Sequence, residues 1–337
     1  MGRQIAIVTP VLDDWESFTR LVAEISSSFT GSGVDFHLFA LDDGSTTPFD
    51  VNTIRLATDS CVVGIEVLHL AANLGHQRAI AVGLCAIADR AEIDAVIIMD
   101  SDGEDRPADI AALLAASHRN PSQIVFARRA RRSESWRFRL FYRCYKFAFR
   151  ILTGRTITFG NFSLLPLAAV RRLVHMPELW NHLAATIMRS RLPYTDVPTT
   201  RGKRYAGRSS MNVVALAIHG LSAMSVYTDV IFVRVLMAAG FVACLSLTGI
   251  IGVALVRFAT DLAIPGWATI AGGDLMIVLS QTGIVMVATS LMMLAGRSNR
   301  PIVPIIDSGV FIASRETWRL GQSQQVRSKS PRAKAKR

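Results

Sequence analysis

Over the first third of the chain, apolar residues fall in short runs separated by polar ones. Ile5–Val8, Asp35–Leu41, Gly64–Leu70 and the run from Val96 to Met99 read as strands. The last run is apolar on both faces, as expected of a strand buried inside a parallel sheet. Between the strands the spacing is helical. It runs from the polar start at Asp13/Asp14 to about Ser28, near Thr53–Ser60, from about Gln77 to Asp89, and on to about Ser117. Alternation of this kind over residues 4–125 predicts a doubly wound, mostly parallel α/β sheet.

Further along, the pattern changes character. In residues 134–152, helical spacing gathers Arg139, Arg143, Lys146 and Arg150 on one face. Phe138, Phe141, Tyr142, Tyr145, Phe149 and Leu152 occupy another. A basic face beside an aromatic one suits a helix lying in a membrane interface. Contact with nucleic acid or an ordinary core helix would use the same residues. Met211–Tyr227, apolar with Asn212, His219 and Ser225, reads as a second interfacial helix. Val235–Val256 is apolar or small almost throughout and is long enough to span a bilayer, with Arg234 able to snorkel at its start. Leu275–Ala295 is of similar length, although Ser280, Gln281 and Thr282 interrupt it.

Composition supports a membrane. Of 337 residues half are hydrophobic, and the mean hydropathy is +0.33. The net charge of +11 is compatible with nucleic acid or an anionic surface, but the arginines cluster beside aromatic and apolar segments at 128–155 and 201–208 and in the tail. That placement favours lipid, and nucleic acid is not expected as a partner. Cys61, Cys85, Cys144 and Cys244 show no paired spacing, so neither disulfides nor zinc is indicated. The N-terminus reads as a first strand and not as a signal peptide. Residues 257–274 carry little positive charge, whereas Lys203, Arg204 and Arg208 precede the first apolar run and Arg297 and Arg300 follow the second. The positive-inside rule then puts both termini in the cytosol.

The chemistry concentrates at the ends of the strands. Val96–Ile98 leads through Met99 into Asp100, Ser101, Asp102, Gly103, Glu104 and Asp105. Along an extended chain Asp100, Asp102 and Glu104 point the same way and could converge on a hard divalent cation, Mg²⁺ or Mn²⁺. The plainer alternative is an acidic strand-to-helix loop in which Asp105 or Asp109 caps the helix from Ile110. Other strands end in Pro10-Val11-Leu12-Asp13-Asp14, Asp42-Asp43-Gly44-Ser45, Asn73-Leu74-Gly75 and Arg128. Loops gathered on one sheet edge describe a nucleotide pocket.

In this order, these motifs resemble family 2 glycosyltransferases of the GT-A fold. More narrowly, they resemble the polyprenyl-phosphate glycosyltransferases related to dolichol-phosphate mannose synthase. Arg201-Gly202-Lys203-Arg204 through Ser209 is similar to that group's basic Arg-x-x-Arg-x-x-Gly-x-Ser segment, and the likeness extends over roughly residues 4–297. The resemblance implies that Pro10, Leu12, Asp14 and Asp42 surround the base and ribose, with Asp43, Asn73 and Ser101 also in the donor pocket. It implies that Asp100, Asp102 and Glu104 meet the metal and diphosphate, and that Arg128, Arg131, Arg201 and Arg204 clamp phosphates. Leu12-Asp13-Asp14 departs from the usual Tyr-Asn-Glu. Asn161 stands where relatives often carry an acid, so either no general base is needed or the acceptor differs. As a turn residue after Gly160, Asn161 has an equally ordinary explanation.

The reading is a cytosolic GT-A domain over 1–210 and an interfacial helix over 211–229. Transmembrane helices at 230–257 and 274–296 flank an external connector at 258–273, and a basic cytosolic tail over 297–337 is expected to be disordered from Arg315. The expected activity is inverting transfer from a nucleotide-diphosphate sugar to polyprenyl phosphate or another lipid acceptor, in a monomer or homo-oligomer. Transfer to a hydroxyl and a catalytically silent scaffold are the rivals.

Overall fold

The computed structural model describes residues 2–56, 59–129, 136–156, 159–206, 213–261 and 264–320; the side chains of 129, 136–142 and 213–216 are not described. The described chain divides into two compact units. One comprises residues up to 141, 157–226 and 302 onward, and the other 142–156 and 227–301.

The first unit is built on an eight-stranded sheet. The strands are β1 (Arg3–Val11), β2 (Val34–Asp42), β3 (Val62–Leu70), β4 (Ala95–Ile98), β5 (Ile124–Arg129), β6 (Ser163–Pro166), β7 (Tyr194–Thr199) and β8 (Ile312–Arg319). Their order is β7-β5-β6-β4-β1-β2-β3-β8. Pairings β4-β1, β1-β2, β2-β3 and β5-β7 are parallel, while β6 and β8 run against their neighbours. This is the mostly parallel sheet that the alternating pattern predicts.

Helices cover both faces because the central strands are apolar on both. In β1, Ala6 and Val8 join a core with α2 (His76–Ala88), α5 (Leu167–Leu173) and α6 (Leu183–Ser190). Ile5 and Ile7 point the other way, into a core with α1 (Trp15–Ser28) and α3 (Ile110–Arg119). All four side chains are fully buried. With helices occupying both faces, the carboxyl edge of β1, β2 and β4 is the place left for polar loops.

Two expectations fail among the described residues. Near Thr53–Ser60 the only helical residues described are those of a single 3₁₀ turn, Val51–Thr53, and the backbone is extended again at Ile54; residues 57 and 58 lie outside the described residues. The Asp50 carboxylate takes the N–H of Asn52 and its side-chain amide, an Asx turn that competes with helix formation. The expectation of a structureless tail fails over Arg315–Arg319, and its remainder, 321–337, lies outside the described residues. Residues 312–319 form β8, which pairs antiparallel with β3 and covers that edge. Trp318 is buried against Phe49, ring centres 5.4 Å apart, and Arg315 reaches the buried Glu66 at 3.1 Å, which Arg90 also contacts at 2.6 Å.

The second unit holds the end of α4 (Trp136–Thr153) together with α8 (Thr228–Ala259) and α9 (Trp267–Ser298). The two apolar runs read from the sequence fall inside α8 and α9. Both helices are long and apolar enough to cross a membrane. At 1.5 Å per residue, 32 residues extend roughly 48 Å, against a hydrocarbon core of about 30 Å. Their large side chains, among them Met237, Phe241, Leu245, Ile284 and Leu291, are exposed. In the first unit, α7 (Val213–Ser225) buries Ala223 and exposes Ile218 and Leu221.

Candidate active site

The loops after β1 and β2 are tied together. Asp13, at φ 51°, accepts hydrogen bonds from the backbone N–H groups of Thr46 and Thr47 at 2.7 and 3.2 Å, and its own N–H reaches Ser45 Oγ at 2.9 Å. Those donors, led by the Thr46 hydroxyl, hold the Asp13 carboxyl below its ordinary pKa. Leu12 is exposed beside it, Pro10 is half-buried at the strand end, and Asp14 caps α1 by accepting from Ser17 N–H at 3.3 Å.

Asp42 and Asp43 are both buried and bond in different directions. Asp42 accepts from Ser45 N–H at 2.8 Å and lies 2.7 Å from His69 Nδ1, its direct register partner on β3. Burial pushes the Asp42 carboxyl up, but the bonds from His69 and Ser45 outweigh it and leave the pKa lowered. Asp43 accepts from the N–H groups of Leu74 and Gly75 at 2.6 and 2.9 Å, which shapes the loop that carries the exposed Asn73. Gly75 adopts φ 85°, a left-handed geometry that a glycine accepts without strain. Burial raises the Asp43 pKa.

The acidic loop after β4 folds back on itself. Asp100 N–H donates to the buried Asp105 at 3.1 Å, and Asp102 accepts from Glu104 N–H at 2.9 Å. Ser101 is buried behind them. Asp105 therefore closes the loop and does not cap α3, and Asp109 stands at the helix start without a side-chain capping bond.

Opposite this loop lies the basic segment 200–206. Gly202 N–H donates to Glu104 O at 2.9 Å and Tyr205 N–H to Asp102 O at 2.8 Å. The backbones approach so closely that a Cβ on Gly202 would lie 2.0 Å from Gly103 O. Arg201 grips Glu104 with both Nε and Nη2, at 3.1 and 2.6 Å, and Arg204 meets Asp102 at 2.6 Å and Glu104 at 3.3 Å. Tyr205 anchors the segment through its hydroxyl to Glu24 at 2.7 Å, with Arg20 stacked 4.5 Å from the ring centre.

On the other side of Asp100 is a directed chain of hydrogen bonds. Leu183 N–H donates to Gln77 Oε1 at 2.8 Å, which turns the Gln77 amide N–H toward Asn161 Oδ1 at 3.1 Å. Asn161 then presents its own NH₂ to His76 Nε2 at 2.9 Å. This chain of bonds favours the His76 tautomer that carries its proton on Nδ1 and accepts at Nε2. Burial lowers its pKa, in keeping with that tautomer. His76 Nε2 is also 3.4 Å from Asp100 Oδ1.

The structure thus brings Asp100, Asp102, Glu104, Asn161, Arg201 and Arg204 to one edge, with Asp42, Asp43 and Ser101 behind. Arg128 is exposed and pairs with Asp196 at 2.8 Å; Arg131 lies outside the described residues. His69, Gln77 and Tyr205 are the contributors that the sequence did not single out. The donor set can be weighed against a divalent ion. Asp100 and Asp102 offer oxygen ligands, although Arg204 also holds Asp102, and Glu104 is held by two guanidinium groups. Among the described residues no three His, Cys, Asp or Glu side chains surround one point. Two carboxylates suit an ion that completes its shell with phosphate oxygens and water.

A buried parallel sheet with acidic, basic and amide groups gathered along its carboxyl edge defines an α/β enzyme domain. Residues 6–172 match the family model Glycosyl transferase family 2. That segment of the chain is a domain of the family. An uncharacterized glycosyltransferase from Synechocystis sp. is 24% identical over 225 residues, 63% of this chain and 65% of that protein. The undecaprenyl-phosphate 4-deoxy-4-formamido-L-arabinose transferase of Proteus mirabilis is 28% identical over 138 residues, 40% and 39% respectively. The chain thus spans less than two thirds of either relative. Among solved structures, glucosyl-3-phosphoglycerate synthase from Mycobacterium tuberculosis in complex with Mn²⁺, UDP-Glc and phosphoglyceric acid is 18% identical with a TM-score of 0.47. That match covers 68% of this chain and 80% of that one. The same enzyme with Mg²⁺ and UDP gives 18%, 0.45, 68% and 79%.

Proposed function

We propose that this glycosyltransferase is anchored in a membrane by α8 and α9 and moves a sugar from a nucleotide-diphosphate donor to polyprenyl phosphate at the cytosolic face. The observation that supports this best is the meeting of Arg201 and Arg204 with the Asp100–Glu104 loop, beside an amide where a base would otherwise stand. A lipid phosphate has a second pKa near 6 and is largely a dianion at neutral pH, so it needs no side chain to remove a proton. The Proteus relative is, by its name, an undecaprenyl-phosphate transferase.

Asp42 and the Pro10–Asp14 loop would bound the base and ribose, and Asp43 would shape the Asn73 loop next to the sugar. Asp100 and Asp102 would hold Mg²⁺ or Mn²⁺, which neutralises charge on the departing diphosphate when bound. Arg201 and Arg204 would exchange part of their contact with Glu104 for phosphate oxygens, so that charge developing between donor and acceptor meets fixed positive groups. Asn161 would orient, through its two amide bonds, what lies between His76 and the acceptor. Displacement in line then inverts the anomeric carbon.

A hydroxyl acceptor is the second reading, because His76 stands 3.4 Å from Asp100 and could serve as its base. Against it, the Nε2 lone pair already accepts from Asn161. Membranes containing the protein, incubated with a panel of radiolabelled nucleotide sugars and extracted into organic solvent, test the proposal. A labelled lipid cleaved by mild acid supports it; label confined to acid-stable product overturns it in favour of a hydroxyl acceptor.

A further inference from the structure

The second unit contains a cavity of about 820 Å³ that the transfer reaction does not use. It opens where the start of α8 and the end of α9 come together, and Ile151 near the end of α4 closes one side. Its apolar wall is Ile151, Val230, Val233, Met237 and Met293; its charged groups are Arg234, Arg297 and Asp229. Arg234 does not simply stretch toward water. Its guanidinium donates to the Ile151 carbonyl at the end of α4 and packs on Gly154, where a Cβ would come within 2.5 Å of Nη2. The charge is therefore held in place before any ligand arrives. The uncharged stretch of α8 runs from 235 to 256 and that of α9 from 275 to 296, so Arg234 and Arg297 each stand one residue outside a bilayer-length apolar run.

We propose that this cavity binds the headgroup phosphate of an anionic bilayer phospholipid, with Arg234 and Arg297 on the phosphate and the upper acyl chains along Val233, Met237 and Met293. Paired guanidinium groups match phosphate oxygens, and basic pockets between membrane helices at the headgroup level suit such lipids. Two arginines against one aspartate leave a net charge of +1. That complements a phosphodiester with one negative charge better than a phosphomonoester of charge −1.5 to −2. The occupant is thus a bilayer lipid and not the lipid phosphate acceptor. The inference rests on α8 and α9 lying in a membrane, and resistance of the protein to alkaline carbonate extraction checks that separately.

The test uses the full chain, purified in detergent and exposed to equal amounts of phosphatidylglycerol and phosphatidylcholine, with retained lipids counted by native mass spectrometry. Wild type should retain phosphatidylglycerol over phosphatidylcholine. Arg297→Gln should weaken that retention by about tenfold or more. Met293→Trp, which fills the cavity and leaves the charges alone, should weaken it as well, and it decides the matter if Arg297→Gln does not fold. Equal retention in wild type and Met293→Trp would overturn the proposal. So would displacement of phosphatidylglycerol by an equimolar short-chain polyprenyl phosphate, which would give the cavity to the acceptor.

Discussion

Replacing Asn161 with alanine separates the two acceptor chemistries. The side chain makes two bonds, to His76 at 2.9 Å and from Gln77 at 3.1 Å, and both groups are only partly buried. Each bond is worth about 0.5–1.5 kcal/mol net, so losing the pair should cost about 1–3 kcal/mol. If all of it falls on the barrier, transfer slows by roughly fivefold at the lower end and roughly 160-fold at the upper. His76, pulled below its ordinary pKa by burial, is neutral at pH 7 and should not shape the profile there. The rate should instead fall below about pH 6 in both wild type and variant, as the acceptor phosphate takes its second proton. The assay is initial transfer rate from pH 5 to 9 for wild type, Asn161→Ala and His76→Ala. A loss of a hundredfold or more in His76→Ala, together with a profile that shifts in Asn161→Ala, would refute the reasoning and make His76 the base of a hydroxyl acceptor.

Other outcomes follow from particular contacts. Asp102→Asn should remove most transfer and raise the Mg²⁺ concentration needed for half-activation, whereas Glu104→Gln should slow transfer and leave that concentration nearly unchanged; an equal shift in both would make Glu104 a ligand. Trp318→Ala should destabilise the first unit by about 3–5 kcal/mol, read from its unfolding transition, since the ring is buried; a change below about 1 kcal/mol would mean that β8 adds little. Stability should be full above pH 6.5 and fall as the pH drops. Burial depresses the folded-state pKa values of His37, His76, His182 and His219, so the unfolded chain takes up protons first. His182→Gln should flatten that dependence, and a wild type more stable at pH 5.5 than at 7.5 would contradict it. In a cysteine-free background, a cysteine at Thr269 should react with an impermeant reagent from outside intact cells and one at Ser323 should not; the reverse would invert the topology.

The sheet was legible where strands are apolar on both faces, as in β1 and β4, because burial on two sides leaves an unbroken signature. The flanking strands were not. β7 contains Pro198 and buries only Thr199, and β8 buries only Trp318. Such strands are held by backbone pairing at an edge, which composition barely records. The acids of the site were readable because four of them lie within six residues. The Arg201–Glu104 pair joins side chains 97 residues apart, and no local pattern announces it. His69 could have been found by registering Asp42 against the next parallel strand. Asp14 and Asp43 also accept from backbone N–H groups of a helix start and a loop, a local task that their place in the motifs did not announce.

The pairing of β8 with β3 also bears on how the protein is made. The sheet's last strand leaves the ribosome after both apolar helices, so β3 keeps an open edge through most of synthesis. With α8 and α9 both across the bilayer, the chain returns to the compartment where β3 waits, and the sheet closes. With only one of them inserted, residues 312–319 emerge on the far side and the edge stays bare, able to pair with other chains. If the helices insert as proposed, completion of the first unit's sheet depends on that insertion, and a copy with one helix inserted keeps an aggregation-prone edge.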